Sequence, residues 1–221
     1  MVRLLLLPGV GADRRLFEAQ QSSSAELSVI EWIAPIAREE SLTGYAKRLA
    51  ATIDTSPPFA IGGASFGGMV ALELARHLRP AAVILIASCR SPLSLPPHYR
   101  QLSWLTQFLP AALLTGALAR SRFVTSRFGL KTRDERRLFG DMLRATPPSF
   151  VQWACRAIFG WPGAADLPMP IHHIHGTNDR IIPLRCVRPT AVVQDAGHLV
   201  NVTHASEVNA FIDDAIVAGV S

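Results

Sequence analysis

The chain has 221 residues, 49% of them hydrophobic and 18% charged, with a net charge of +5. That balance predicts one folded domain, 1–221, with a sizeable core, and excludes a disordered or low-complexity chain. Arginines cluster loosely around Arg120, Arg122 and Arg127 and at Arg133, Arg136 and Arg137, with few aromatics between them and no nucleic-acid motif, so they read as solvated helix faces and no nucleic-acid partner is expected.

The opening "MVRLLLLPGVGADRR" imitates a signal peptide, but its apolar run is short and breaks at Pro8-Gly9 without a small-x-small cleavage site. Residues 3–7 are therefore predicted as a first buried strand and 28–33 as a second. "SLTGYAKRLAATI" places Leu42, Tyr45, Ala46 and Leu49 at helical spacing behind a Ser41 cap. A third strand over 59–62, a helix over 69–78 and a fourth strand over 82–87 follow. Buried, non-alternating strands that alternate with helices mean a parallel sheet covered on both faces.

From about 91 to 166 no strand pattern appears. Helices are predicted over 99–108, 111–128, 133–145 and 149–159, an insertion within the sheet. Residues 102–119 are uncharged over a length that could span a bilayer, but Pro110, Gly116 and several polar residues argue against a membrane span. Strands return at 171–175 and 191–194, and a helix over 205–218 closes the chain with Val208, Phe211, Ile212 and Ala215 on one face.

Within this frame "AIGGASFGGMVALELARHL" sets Gly63-Ala64-Ser65-Phe66-Gly67, a G-x-S-x-G pattern, between a strand and a helix. A serine on so tight a turn is held at the carboxyl end of the sheet, beside the free N–H groups of a helix start. Two plainer readings stand beside this one. Ser65 could simply cap the helix, or the turn could cradle a phosphate, although G-x-G-x-x-G and the Walker lysine are absent. A nucleophilic serine needs a base and an orienting carboxylate. Asp179 in "HIHGTNDRIIP" and His198 in "VVQDAGHLVN" each follow a predicted strand, at the same sheet edge as Ser65.

With "GGASFGG", "GTNDRIIP" and "DAGHLV" in that order, the chain resembles the α/β-hydrolase superfamily over nearly its whole length. The resemblance implies an α/β-hydrolase fold: about six mainly parallel strands flanked by helices, with a helical cap inserted before the penultimate strand, at about 91–166. It implies Ser65 as nucleophile, His198 as general base and then acid, and Asp179 as orienting carboxylate. It also implies an oxyanion hole from the backbone N–H groups of Phe66 and Val10. Where many relatives carry His-Gly this chain has Pro8-Gly9, which leaves the backbone donor intact. The first strand begins near residue 3, without the antiparallel strands that usually precede it, so one sheet edge is expected to be exposed or covered in a homodimer.

Asp195 is a rival acid, but it lies too close to His198 in sequence to reach the far ring nitrogen, and the family's chain order favours Asp179. Asp54, Asp166 and Asp213 lack the placement, and His204, His77 and His98 read as surface residues. His173 and His175 share one face of a strand and could chelate a metal, but no second ligand cluster accompanies them, so hydrogen-bonded strand-end histidines are expected, and no metal. Cys89, Cys155 and Cys186 are an odd number without C-x-x-C spacing, which predicts buried thiols in a reducing, cytoplasmic setting.

The expected activity is a cofactor-free serine esterase or thioesterase that forms an acyl-enzyme. Trp104, Leu105, Phe108 and further apolar cap residues as far as Phe128 suggest a small to medium apolar acyl group. Ser65 argues against dehalogenase and epoxide hydrolase chemistry, which use aspartate at that position in this family. Same-fold C–C hydrolases, lyases and peroxidases remain open, as do a catalytically silent ligand-binding protein and a lipase using 102–119 as an interfacial lid.

Overall fold

The computed structural model describes residues 2–55, 58–99, 122–164 and 167–220. Strands β1 (Val2–Leu7), β2 (Ala25–Val29), β3 (Phe59–Ala64), β4 (Val83–Ile86), β5 (Ile171–Gly176) and β6 (Ala191–Val193) form one sheet in the order β2-β1-β3-β4-β5-β6, and every pair is parallel. Helices α1 (Leu42–Ala50) and α2 (Phe66–Leu78) belong to the first half. Helices α3 (Arg122–Arg127), α4 (Arg133–Ala145) and α5 (Pro148–Gly160) lie in the insertion between β4 and the penultimate strand β5. The short α6 (Val200–Thr203) and the long α7 (Ala205–Val220) end the chain. The alternation of parallel strands with helices and the helical insertion are those the sequence predicted.

Alternate residues of one strand feed opposite cores, as the period of two demands. Leu4 and Leu6 of β1 join the core that contains Val208, Ile212 and Ile216 of α7. Leu5 and Leu7 join the other, with Leu49 of α1, Leu72 of α2 and Trp153 of α5. Burial on both faces explains why these strands are continuous apolar runs. Trp161, just past α5, donates its indole N–H to the buried Glu73 of α2 at 2.9 Å and so ties the end of the insertion to the sheet-covering layer.

Strand β2 departs from the sequence reading: it begins three residues before 28 and ends at Val29. Asp213 accepts hydrogen bonds from the Ser23 and Ser24 backbone and from the Ser22 hydroxyl, which fixes where the chain enters the strand. Trp32 then leaves the sheet to pack on Phe66 and Phe150, with ring centroids 5.5 Å apart in each case. Strand β2 is one edge of the sheet. Residues 102–119, Arg120 and Asp166 lie outside the described residues.

Strands β2 and β3 flank β1 on opposite sides, so the direction of winding reverses at β1/β3. Loops leaving the carboxyl ends there diverge and open a crevice, the usual place for a ligand in such sheets. The loop after β1 and the turn after β3 meet in it: a Cβ added at Gly9 would lie 3.6 Å from the Cβ of Ser65.

Candidate active site

Ser65 occupies the one-residue turn between β3 and α2, with φ 53° and ψ −119°. A non-glycine residue there is strained by about 1–3 kcal/mol, so its surroundings must enforce the conformation. They do so through the backbone. The Ser65 N–H donates to Ile86 O at 2.9 Å, and its carbonyl accepts from the Ser88 hydroxyl at 2.6 Å and the Gly68 N–H at 3.0 Å. Gly67 lets the turn sit flush against β1, because a Cβ at that position would collide with the carbonyls of Leu7 and Pro8. Although Ser65 stands at the N-cap position of α2, its side chain makes no capping bond. Its Oγ lies 2.9 Å from Nε2 of His198 instead.

His198 lies on the loop between β6 and α6 and is 2% exposed. The insertion holds this loop: the Leu199 N–H donates to the Phe128 carbonyl at 3.1 Å, and the Phe128 ring meets His198 edge-on with centroids 5.5 Å apart. Nδ1 of His198 is 2.7 Å from Oδ2 of Asp179. The other carboxylate oxygen, Oδ1, accepts from the Ile181 and Ile182 N–H groups at 2.8 Å each. Burial acts to raise the pKa of Asp179, but the charge His198 can carry and the hydrogen bonds from His175 and His198 outweigh it and hold the group below the ordinary carboxylate range. An ionised Asp179 accepts the Nδ1 proton and leaves the Nε2 lone pair facing the Ser65 hydroxyl.

Phe66 is the first residue of α2, so its N–H has no partner within the helix. Among the described residues, neither the Phe66 nor the Val10 N–H has an acceptor. The Phe66 side chain is fully buried in an aromatic cluster with Trp32, Phe150 and Trp153, which anchors the start of α2.

A family model described as "Alpha/beta hydrolase family" matches residues 4–211. The chain belongs to the alpha/beta hydrolase family. Solved structures of similar fold include an esterase from Thermogutta terrifontis, 21% identical with a TM-score of 0.72, covering 99% of this chain and 90% of that one. A hydrolase from Oleispira antarctica is 15% identical with a TM-score of 0.77, covering 98% of this chain and 91% of that one. An esterase from Exiguobacterium antarcticum is 13% identical with a TM-score of 0.76, covering 98% and 92%. No curated protein matches the sequence significantly.

In this alpha/beta hydrolase the other candidates lie elsewhere. Asp195 is exposed and bonds Asn178 at 3.3 Å. Asp54 pairs with Arg3, and His204 bonds its neighbour Thr203. His77 and His98 are exposed. Asp13 caps a 3-10 turn and pairs with Arg15, while Phe17 and Met69 are core residues. Among the described residues no three His, Cys, Asp or Glu side chains are grouped to hold a metal, and no helix is long and apolar enough to cross a membrane. Cys89 is buried and Cys155 half-buried, but Cys186 is exposed, against the expectation of three buried thiols.

The sequence reading did not single out Ser88 or a supporting role for Phe128. Nor did it connect His175 to Asp179, although Nε2 of His175 lies 3.2 Å from Oδ2 of that residue. The repeat of histidine every second residue on β5 was the available signal. A cavity of about 810 Å³ opens beside the β1 loop, with Asp13, Arg15, Trp32 and Phe150 among its lining residues and Ser65 and His198 not among them.

Proposed function

We propose that the protein is a serine hydrolase that cleaves a carboxylic ester or thioester through an acyl-enzyme. The observation that carries this reading is the run of contacts from Ser65 Oγ to His198 Nε2 (2.9 Å) and from His198 Nδ1 to Asp179 Oδ2 (2.7 Å). Ser65 Oγ attacks the acyl carbon as its proton passes to Nε2 of His198, and Asp179 stabilises the imidazolium. The negative charge that develops on the carbonyl oxygen is received by the N–H groups of Phe66 and Val10, which need no reorganisation at that moment. Collapse expels the alcohol or thiol, which takes the proton from His198. Water, deprotonated by the same nitrogen, then releases the acid and restores Ser65.

The esterases among the structural neighbours favour ester chemistry within the family's range. A small to medium apolar acyl group is the expected substrate part, from the many apolar side chains of the insertion. The test is steady-state hydrolysis of p-nitrophenyl esters and acyl thioesters of two to twelve carbons, with Ser65→Ala as control. The reading predicts a maximum of kcat/KM along the series and loss of turnover in the variant. Flat rates along the series would remove the apolar-pocket part, and equal rates in Ser65→Ala would remove the serine mechanism.

A further inference from the structure

His173 and His175 are two residues apart on β5, so both point to one side of the sheet. They are 4% and 0% exposed. Nε2 of His175 faces two groups that can only accept: the Ile182 carbonyl at 2.8 Å and Oδ2 of Asp179 at 3.2 Å. That nitrogen therefore carries a proton. Nδ1 of His175 lies 3.1 Å from Nε2 of His173. In a neutral His175 with its proton on Nε2, Nδ1 is an acceptor, so His173 donates to it. Burial, the largest cause, holds the pKa of His173 down to about 3, which keeps it a neutral donor at neutral pH. The donations then run in sequence, from His173 to His175 and from His175 to the Ile182 carbonyl and Asp179.

We propose that His175 is a positioning residue for the Ser65 site. Its Nε2–H, shared between Ile182 O and Asp179 Oδ2, holds the carboxylate that faces His198, and His173 fixes the tautomer of His175 that allows it. The proposal rests on the roles given above to Ser65, His198 and Asp179. It follows from where the bonds end. The Ile182 N–H binds Oδ1 of Asp179 while the Ile182 carbonyl receives His175, so one imidazole holds both the carboxylate and the turn that grips it. Asp179 Oδ2 is thereby divided between two imidazoles. Without His175 that oxygen interacts with His198 alone, which stabilises the His198 imidazolium, and the turn at Ile182 that grips the carboxylate loses the bond to its carbonyl. The other ionisable groups around this contact are His173, Arg90 and the buried Cys89, whose thiol burial pushes up to about 12 and so keeps neutral.

The experiment uses the full chain labelled with 15N. Long-range 1H–15N spectra of the wild type should show His175 and His173 as Nε2–H tautomers at pH 7 to 8. The same spectra follow the titration of His198, and the rate at which a fluorophosphonate labels Ser65 is measured across pH. His175→Phe should raise the His198 midpoint by about half a pH unit and slow labelling roughly tenfold. His175→Gln, which retains a donor at similar reach, should recover most of both. An Nδ1–H tautomer at His175 in the wild type overturns the proposal, as does a folded His175→Phe with unchanged midpoint and rate. If His175→Phe does not fold, the wild-type tautomer decides. A wild type that is not labelled refutes the nucleophile reading, while the tautomers and the His198 titration still judge His175.

Discussion

The hydroxyl of Ser88 donates to the carbonyl of Ser65 at 2.6 Å, joining the segment just after β4 to the strained turn that ends β3. Neither residue is near the other in sequence, yet the bond fixes the peptide whose other end is the Phe66 N–H. Ser88→Ala removes one of two bonds to that carbonyl, the Gly68 N–H remaining. It should cost about 1 kcal/mol in urea unfolding and slow the labelling of Ser65 several-fold. Unchanged labelling would mean that the turn holds its geometry without Ser88.

Two glycines should respond to alanine in opposite ways. At Gly67 the new methyl meets the backbone carbonyls of Leu7 and Pro8, which cannot move without parting β1 from α2, and the loss should be about 3 kcal/mol or more. At Gly160, exposed at the end of α5, nothing lies within 4 Å of the added atom and φ is not positive. Alanine there should raise stability by about 0.5 kcal/mol. Urea midpoints of the two variants against the wild type check both signs.

Stability should also fall as pH drops below the ordinary range of histidine. His173 has its pKa lowered in the native state to about 3 from the ordinary histidine value of 6.5, so the unfolded chain takes up a proton that the folded one refuses. Its contribution is complete above about 6.5 and is lost as pH falls towards 3, with a slope of at most about 1.4 kcal/mol per pH unit. Burial lowers His172 too and adds in the same direction. Urea unfolding between pH 4.5 and 6.5, above the range where most carboxylates protonate, should show this slope in the wild type. His173→Gln should flatten it, and an equal slope in both would locate the proton uptake elsewhere.

The sheet, and the sheet edge at which Ser65, Asp179 and His198 meet, were legible in the sequence because each signal is local. Ser65, Asp179 and His198 each follow a strand end, within a few residues that carry the turn chemistry. What was not legible depends on approach between distant segments. The start of β2 is set by Asp213 gripping residues 22–24 across the fold, which propensity does not reveal. Trp32 reads as a strand residue until its partners Phe66 and Phe150 are known. The histidine alternation on β5 was visible, but its link to Asp179 requires the folded turn through Ile182. For the same reason the hold of Phe128 on the His198 loop, across an insertion boundary, left no mark in the pattern.

Replacing Asp179 by asparagine probes the carboxylate separately from the fold. The asparagine oxygen can still accept from Ile181 and Ile182, but an amide turned towards His198 favours the wrong tautomer of the base. Ester turnover of the folded variant at pH 7 should fall by roughly three to four orders of magnitude. A loss below tenfold would show that the carboxylate does not orient His198.

Mass spectrometry after treatment with a fluorophosphonate, in wild type, His198→Ala and Asp179→Ala, tests the Ser65 nucleophile most directly. A single phosphonyl adduct on Ser65 is expected in the wild type, formed with loss of fluoride, and absent or greatly slowed in both variants. A wild type that takes no adduct, or variants that are labelled as fast as the wild type, would contradict it.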